Sequence, residues 1–140
     1  MRGNHGSFRA GRTFSVPALP ILDDLSISAT GAYSLRKMRA AYAGSCIRVR
    51  RSSDNAEQDI GFVADILDTA TLLSFVGVGN GFVTTWYDQS TAGLNATQTN
   101  AGFQPRVVTS GALILSNTKP TIQFTNSFFN LSGISPGNYS

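Results

Sequence analysis

The chain contains few of the residues that build covalent or metal-bound frameworks. Its 140 residues include one cysteine, Cys46, and one histidine, His5. A lone cysteine cannot form a disulfide within the chain, and one Cys with one His cannot supply the ligands of a zinc site. We therefore expect no metal and no cofactor, and a protein that is made in a reducing cytoplasm.

Charge and long apolar runs are also scarce. Charged residues make up 14% of the chain and the net charge is only +3. The basic residues are spread along the sequence without a stacking platform or a reading helix, so nucleic-acid binding is not expected. The first residues lack the apolar stretch of a signal peptide, and no segment approaches the ~18 apolar residues of a membrane span. The length and the 41% hydrophobic content suit a single domain that remains soluble.

Residues 1–30 predict an arm in front of this domain. The first twelve residues combine glycine and arginine with too little apolar surface to fold alone. Two interpretations stay open: a disordered terminus, or a docking peptide that becomes ordered on a partner. The candidate docking residues are Arg2, Phe8, Arg9, Arg12 and Phe14. Pro17 and Pro20 interrupt the apolar residues 14–25, which predicts an extended strap.

Residues 31–140 predict a mainly β domain with one or two short helices. Residues 34–44 read as an amphipathic helix, because Ser34 is a good N-cap, apolar residues follow at helical spacing, and Gly44 ends the segment. A second helical segment begins after the N-cap Asp68 and ends at Gly77. The glycines that follow resemble a dinucleotide loop only superficially, since they precede a strand instead of following one.

Alternating apolar and basic residues predict a half-buried strand at residues 46–51, and a turn leads into a second strand at 59–63. The carboxylates of Asp54, Glu57 and Asp59 are expected to pair with the arginines of the first strand. A glycosidase pair is the alternative, because such enzymes need two carboxyl groups about 5–10 Å apart. Further strands are predicted at residues 82–87, 106–109, 112–115 and 121–124.

Several motifs carry a family resemblance. Trp86-Tyr87-Asp88-Gln89-Ser90, then Asn95-Ala96-Thr97-Gln98, Gln104-Pro105-Arg106 and Lys119-Pro120-Thr121, resemble the first half of concanavalin A-like (laminin-G-type) jelly-roll domains. Residues 32–60 are similar to the start of the arabinofuranosidase B catalytic domain, a family 54 glycoside hydrolase. The resemblance implies a jelly-roll sandwich of which this chain holds the N-terminal half. It also implies that the family's catalytic carboxylates lie in a later part, beyond Ser140. We expect this chain to be a portion of a longer protein; the alternative is that strands of a partner complete its sheets.

The same blocks behind a short arm resemble phage virion proteins, which carry lectin-like jelly rolls on tails, baseplates or heads. This resemblance implies a structural virion component, and not an enzyme, that docks on other virion proteins through residues 1–30. It also implies attachment to a host-cell glycan, and we expect a homo-oligomer. Two alternatives stay open: a glycoside hydrolase of the arabinofuranosidase type, and a stand-alone carbohydrate-binding module.

The segment around Trp86 has the residue types of a sugar site. Sugar sites combine an aromatic ring, which stacks on the apolar sugar face, with carboxylates or amides that bind the hydroxyl groups. The candidate ligand-binding residues are Trp86, Asp88, Gln89 and Asn95. The competing interpretation is structural, because an Asp at the end of a strand commonly accepts hydrogen bonds from its own turn.

Overall fold

A computed structural model describes residues 19–24 and 28–132 of the chain. These residues form short antiparallel strands with two short α-helices and one 3₁₀ turn at Ala101–Phe103. The helices are α1 (Ile21–Asp24) and α2 (Thr69–Val76). The strands are β1 (Ile47–Arg51), β2 (Glu57–Ile60), β3 (Phe62–Val63), β4 (Ile66–Leu67), β5 (Gly81–Trp86), β6 (Ala96–Thr97), β7 (Arg106–Thr109), β8 (Ala112–Leu113), β9 (Leu115–Ser116), β10 (Lys119–Pro120) and β11 (Asn130–Leu131). The predicted mainly β class is confirmed.

The main sheet is built around β5. One edge of β5 pairs with β1, which in turn pairs with β2 in the predicted hairpin. The other edge is shared: β7 pairs with the start of β5 at Gly81 and Phe82, and β6 pairs with its end at Thr85 and Trp86. The strands β8 and β11 extend this edge beyond β7 and β6.

The hydrophobic core lies on one face of this sheet, beneath α2. Ile47 and Val49 alternate with arginines in β1 and are fully buried, as the sequence pattern predicts. Leu72 and Val76 of α2 pack against them in the same cluster. α2 begins where predicted, because the Asp68 carboxylate accepts a hydrogen bond from the backbone N–H of Thr71 at 3.0 Å.

The predicted ion pairs lie on both sides of β1: Arg48 points away from the core, whereas Arg51 lies beside α2 and donates to the backbone oxygen of Phe75 at 3.1 Å. Arg48 binds the carboxylates of Glu57 at 2.7 Å and Asp59 at 3.1 Å, and Arg51 binds Asp54 at 2.7 Å. The pairing prediction is therefore confirmed for Arg48 and Arg51, whereas Arg50 binds the neutral side chains of Gln104 and Asn55. Because the side chains of the ion pairs are partly exposed to water, these pairs contribute little to the stability of the fold.

The predicted helix at residues 34–44 is wrong, because this segment contains no helix: its first half runs beside β4, and residues 39–42 form a turn in which Tyr42 N–H donates to Arg39 O at 3.1 Å. The backbone of this segment forms hydrogen bonds with β4 and with the turn between β3 and β4. Leu67 N–H donates to Leu35 O at 2.9 Å, and Lys37 N–H donates to Asp65 O at 2.8 Å. Arg36 forms an isolated β-bridge with Ile66. Helical spacing of the apolar residues is only a weak preference, and the tertiary hydrogen bonds outweigh it.

Two other predicted segments differ from the structure. Ile21–Asp24 form one turn of α-helix instead of extended chain, and this turn starts directly after Pro20, where a proline is compatible with a helix. The rest of the predicted strap, residues 14–18 and 25, lies outside the described residues. Residues 121–124 contribute only the bridge of Gln123 to Arg106, and the predicted strand at 112–115 is divided between β8 and β9.

Candidate functional site

A groove of about 570 Å³ lies beside Trp86, at the end of β5. A register shift in the pairing of β5 with β1 leaves Trp86 opposite Ile47, on the core face of the sheet. We call this cavity the Trp86 groove. Its lining residues are Tyr33, Ser34, Leu35, Arg36, Ile66, Leu67, Thr69, Trp86, Thr118, Lys119, Pro120, Thr121 and Ile122.

Aromatic rings form one end of the Trp86 groove. The Tyr33 ring lies 6.1 Å from the Trp86 ring at 59°, and Phe129 lies 6.2 Å from Trp86 on a similar tilt. The Tyr33 hydroxyl donates to the backbone oxygen of Leu94, which fixes its ring. Burial, and then the negative charge of Asp88, raise the pKa of Tyr33, so it remains a neutral donor.

Trp86 carries an unsatisfied donor. Its indole Nε1–H is buried and has no hydrogen-bond partner among the described residues. Buried donors of this kind are rare, because each one loses its hydrogen bond to water without replacement. The rim of the groove supplies exposed polar groups, including Arg36, Thr118 and Lys119. Aromatic rings and polar rim groups together have the composition of a site for a polyhydroxylated ligand.

Asp88 lies behind the groove, in the turn after β5. Its carboxylate accepts four hydrogen bonds, from the backbone N–H groups of Ala32, Ser90 and Leu94 and from the Ser90 hydroxyl. Burial acts to raise its pKa, but the hydrogen bonds from Ser90, Leu94 and Ala32 outweigh burial and lower it. With 4% of its surface exposed, Asp88 is placed to hold the turn, and its contact with a ligand stays a prediction.

Gln89 and Asn95 support the same region. The fully buried Gln89 side chain donates to the backbone oxygens of Ser34 and Arg36 and accepts from the N–H of Met38. Asn95 accepts from the N–H of Asp88 at 3.0 Å. Of the four candidate ligand-binding residues, the structure therefore places Trp86 in the groove, while the other three fix the chain around it. The candidate docking residues Arg2, Phe8, Arg9, Arg12 and Phe14 lie outside the described residues.

Comparison with protein-family models shows to which family this chain belongs. The family model described as "Alpha-L-arabinofuranosidase B, catalytic" matches residues 25–120, which is more than half of the chain. The chain belongs to this arabinofuranosidase B catalytic family. The match covers the extended segment at residue 34, the β1–β2 hairpin, α2, β5 and the strands up to β10. No curated protein and no solved structure matches the chain significantly.

Acid–base chemistry in an arabinofuranosidase B family member would require carboxyl groups suited to proton transfer. A glycosidase acid needs a raised pKa, so that it holds a proton at working pH. The pKa values of Asp54, Asp68 and Asp88 are all lowered, the first by its hydrogen bonds with Arg51 and the second by those from Thr71. Glu57 and Asp59 are bound to Arg48, and Asp59 also accepts from the Tyr87 hydroxyl at 2.7 Å.

Sequence reasoning missed most of the groove. Tyr33 and Lys119 line the groove together with Trp86 but lie near opposite ends of the matched residues 25–120. No local sequence pattern therefore links them to Trp86. Within the described residues, no three His, Cys, Asp or Glu side chains are grouped as metal ligands. In the same part of the chain, no helix has the length and apolar character needed to cross a membrane.

Proposed function

We propose that this member of the arabinofuranosidase B family is a carbohydrate-binding display module rather than a hydrolase, and that it takes neutral glycans in the Trp86 groove. The observation that carries the proposal is the meeting of Trp86 and Tyr33 with exposed polar side chains at one groove. An aromatic ring binds the apolar face of a sugar, and the rim groups bind its hydroxyls. The unpartnered indole N–H of Trp86 would supply a further donor.

The roles of the acidic side chains support binding over hydrolysis. Asp88 is the acidic residue nearest to Trp86 in sequence, yet both of its oxygens are occupied by the turn. Among the described residues, no Asp or Glu is part of the groove lining. A site without a carboxylate can hold a sugar but lacks the pair of carboxyl groups that glycoside hydrolysis generally uses.

A titration of the full chain with a neutral arabino-oligosaccharide tests this proposal. Trp86 is the single tryptophan of the chain, so its fluorescence reports the groove directly, and calorimetry gives the affinity. We expect Trp86→Phe to weaken binding about tenfold and Lys119→Ala a few-fold, since a smaller ring and a lost rim donor each remove contacts. Phe128→Ala is the control, because Phe128 is an exposed aromatic residue that stacks on Phe103 away from the groove.

Two results would contradict the glycan proposal. One is the absence of binding to every neutral glycan on an array, with wild-type fluorescence unchanged. The other is equal affinity in the wild type, Trp86→Phe and Lys119→Ala, which would move any binding to another surface.

We further propose that the module serves as a structural component of a phage virion, docked through residues 1–30. Its support is the resemblance of the sequence blocks to phage virion proteins, together with the arginine- and phenylalanine-containing arm. Deleting residues 1–12 is expected to abolish incorporation into particles, while Trp86→Phe should be incorporated normally. Normal incorporation of the truncated chain would remove the arm from the docking role.

Hydrolysis is the second candidate function, because the matched family model describes a catalytic domain. Its test is release of the aryl group from an aryl α-L-arabinofuranoside by the full-length gene product. Turnover that survives purification would establish an enzyme, and its absence would favour the binding module.

A further inference from the structure

A row of side chains crosses the face of the sheet opposite to the core. Arg50 of β1 lies opposite Phe82 of β5, and Phe82 lies opposite Arg106 of β7. Since directly opposed residues on neighbouring strands point to the same face, the two arginines flank Phe82. The row continues to Gln123, which bridges to Arg106. This face lies across the sheet from the Trp86 groove, so a ligand bound here would be independent of the proposed function.

Both guanidinium groups lie over the same aromatic ring. The Cζ atom of Arg50 is 4.7 Å from the centre of the Phe82 ring, and that of Arg106 is 5.4 Å from it. Cation–π contacts hold each arginine, but they do not neutralise either charge. Two like charges around one ring repel each other, and an anion placed beside them would relieve that repulsion.

No carboxylate within the described residues forms an ion pair with Arg50 or Arg106. Glu57 lies opposite Arg50 in the β1–β2 pairing, but its carboxylate binds Arg48 at 2.7 Å instead. Arg50 binds neutral oxygens, those of Gln104 at 2.8 Å and Asn55 at 2.7 Å. The positive charge of this row is therefore uncompensated, in contrast to that of Arg48 and Arg51.

Arg106 also has an unused hydrogen-bonding edge. Its Nη1 donates to the Thr109 hydroxyl at 2.9 Å, whereas its Nε is buried without a partner among the described residues. The side of a guanidinium that carries Nε and Nη2 is one that binds a carboxylate with two parallel hydrogen bonds. Thr109 thus fixes the group and leaves that side for another acceptor.

Arg106 lines a cleft of about 230 Å³ whose other lining residues are uncharged. Phe82 supplies an aromatic surface, and Gln123, Thr125 and Ser127 supply amide and hydroxyl groups. Gln123 and Thr125 are exposed side chains of this cleft. Because the Nε of Arg106 is buried, binding there requires a local movement of the side chains around it. An amide and two hydroxyls match the hydroxyl groups of a sugar, and the arginine matches a carboxylate.

We propose that this cleft binds the carboxylate of an acidic sugar of the uronate class, with Arg106 taking the carboxylate through Nε and Nη2 and Arg50 adding long-range attraction. The ring of the uronate lies toward Phe82 and the polar wall. The cleft is a second carbohydrate site, which differs from the Trp86 groove in face, charge and ligand class.

A paired titration tests the proposal on the full chain. An oligogalacturonate and a neutral galacto-oligosaccharide of the same length are titrated by calorimetry at low salt. A sulfated form of the galacto-oligosaccharide, which is anionic but carries no carboxylate, serves as a third ligand. We expect the oligogalacturonate to bind at least tenfold more tightly than the neutral oligomer. We expect Arg106→Lys, which keeps the charge but loses the two-pronged donor, to remove most of that preference.

The matched control is Lys37→Gln, because Lys37 lines neither the cleft nor the Trp86 groove and its removal lowers the net charge. Its affinity for oligogalacturonate should stay within about twofold of the wild type. The wild type alone can overturn the proposal: it does so if it binds the acidic and the neutral oligomer equally, or if it binds neither. Equal loss in Lys37→Gln and Arg106→Lys, or equal affinity for the sulfated oligomer, shows non-specific anion attraction and also overturns it.

Discussion

The carboxylate of Asp88 accepts a hydrogen bond from the backbone N–H of Ala32 at 2.8 Å, which joins residues 56 positions apart in the chain. Asp88 thereby anchors the extended segment before β1 to the turn after β5. The neighbouring Gln89 makes a second set of bonds to the same segment through Ser34, Arg36 and Met38. One wall of the Trp86 groove is therefore held by two adjacent buried polar side chains.

Asp88→Asn is expected to lower the free energy of unfolding by about 2–4 kcal/mol, because an amide nitrogen would face donors that now bind a carboxylate oxygen. Urea unfolding followed by Trp86 fluorescence measures this loss. Asp65→Asn is the matched control, since Asp65 is exposed and has a φ of 63°, a conformation that Asn tolerates well. Equal stability of the two variants would contradict the anchoring role of Asp88.

The effect of Asp88 should also depend on pH. Its pKa is lowered in the folded protein, so its stabilising effect is complete above the unfolded value near ~3.9 and is lost as the pH falls through the folded value. The difference in unfolding free energy between wild type and Asp88→Asn should be constant from about pH 5 to 7 and shrink below about pH 4. A difference that grows in acid would have the opposite sign and would exclude this mechanism.

Gln89→Met keeps the size of a fully buried side chain but removes its three hydrogen bonds. We expect a loss of about 2–4 kcal/mol, because two backbone oxygens and one N–H would lose their partner. Hydrogen exchange of the Met38 amide should increase more than that of Val49 at the centre of the sheet. Unchanged protection of Met38 would show that the segment is held by other contacts.

Gly81 and Gly61 form a matched pair for alanine substitution. A Cβ at Gly81 would lie 2.9 Å from Val76 Cγ2 and 3.2 Å from Val108 Cβ, whereas a Cβ at Gly61 would meet nothing within 4 Å. We expect Gly81→Ala to cost about 1–3 kcal/mol through overpacking between β5 and α2. Gly61→Ala should be neutral or stabilising by up to about 1 kcal/mol, because it restricts the unfolded chain. Thermal melting of both variants decides this, and similar melting temperatures would contradict it.

Cys46 is expected to react only when the protein opens. Its thiol is fully buried, burial raises its pKa to about 12, and it lies 3.4 Å from the backbone oxygen of Ser34. An aromatic disulfide reagent at pH 8 should modify the folded protein at least roughly a thousandfold more slowly than the urea-unfolded chain. Rapid modification under native conditions would mean that the segment around Ser34 opens locally.

The sequence predicted those elements whose cause lies in neighbouring residues. The alternation of apolar and basic residues predicted β1, and the N-cap Asp68 together with Gly77 predicted the bounds of α2. Both signals are local, because the face of a strand and the cap of a helix depend on residues a few positions apart. The non-helical conformation of residues 34–44 could not be predicted in this way. This conformation depends on hydrogen bonds to Asp65, Leu67 and Gln89, which are distant in the chain.

The residues of the candidate site also divide into those with a local sequence signal and those without one. Trp86 could be selected from sequence because aromatic, carboxylate and amide residues follow one another there, and the structure places it in a groove. Lys119 and Tyr33 could not be associated with it, since only the fold brings them together. The arginine–phenylalanine row could not be predicted from the sequence either, because Arg50, Phe82 and Arg106 become neighbours only through the register of the paired strands.

The shared edge of β5 has a consequence for the nascent chain. β1 and β2 are joined by a short turn, so we expect their hairpin to form early, whereas β5 must close a loop of about 30 residues to join β1. Its other edge must wait for β6 and β7, which emerge from the ribosome later. Until β6 and β7 have been synthesised, this edge of β5 is unpaired and can pair with the nascent chains of neighbouring ribosomes on the same mRNA. Aggregation during synthesis should therefore be most sensitive to the interval between residues 86 and 109.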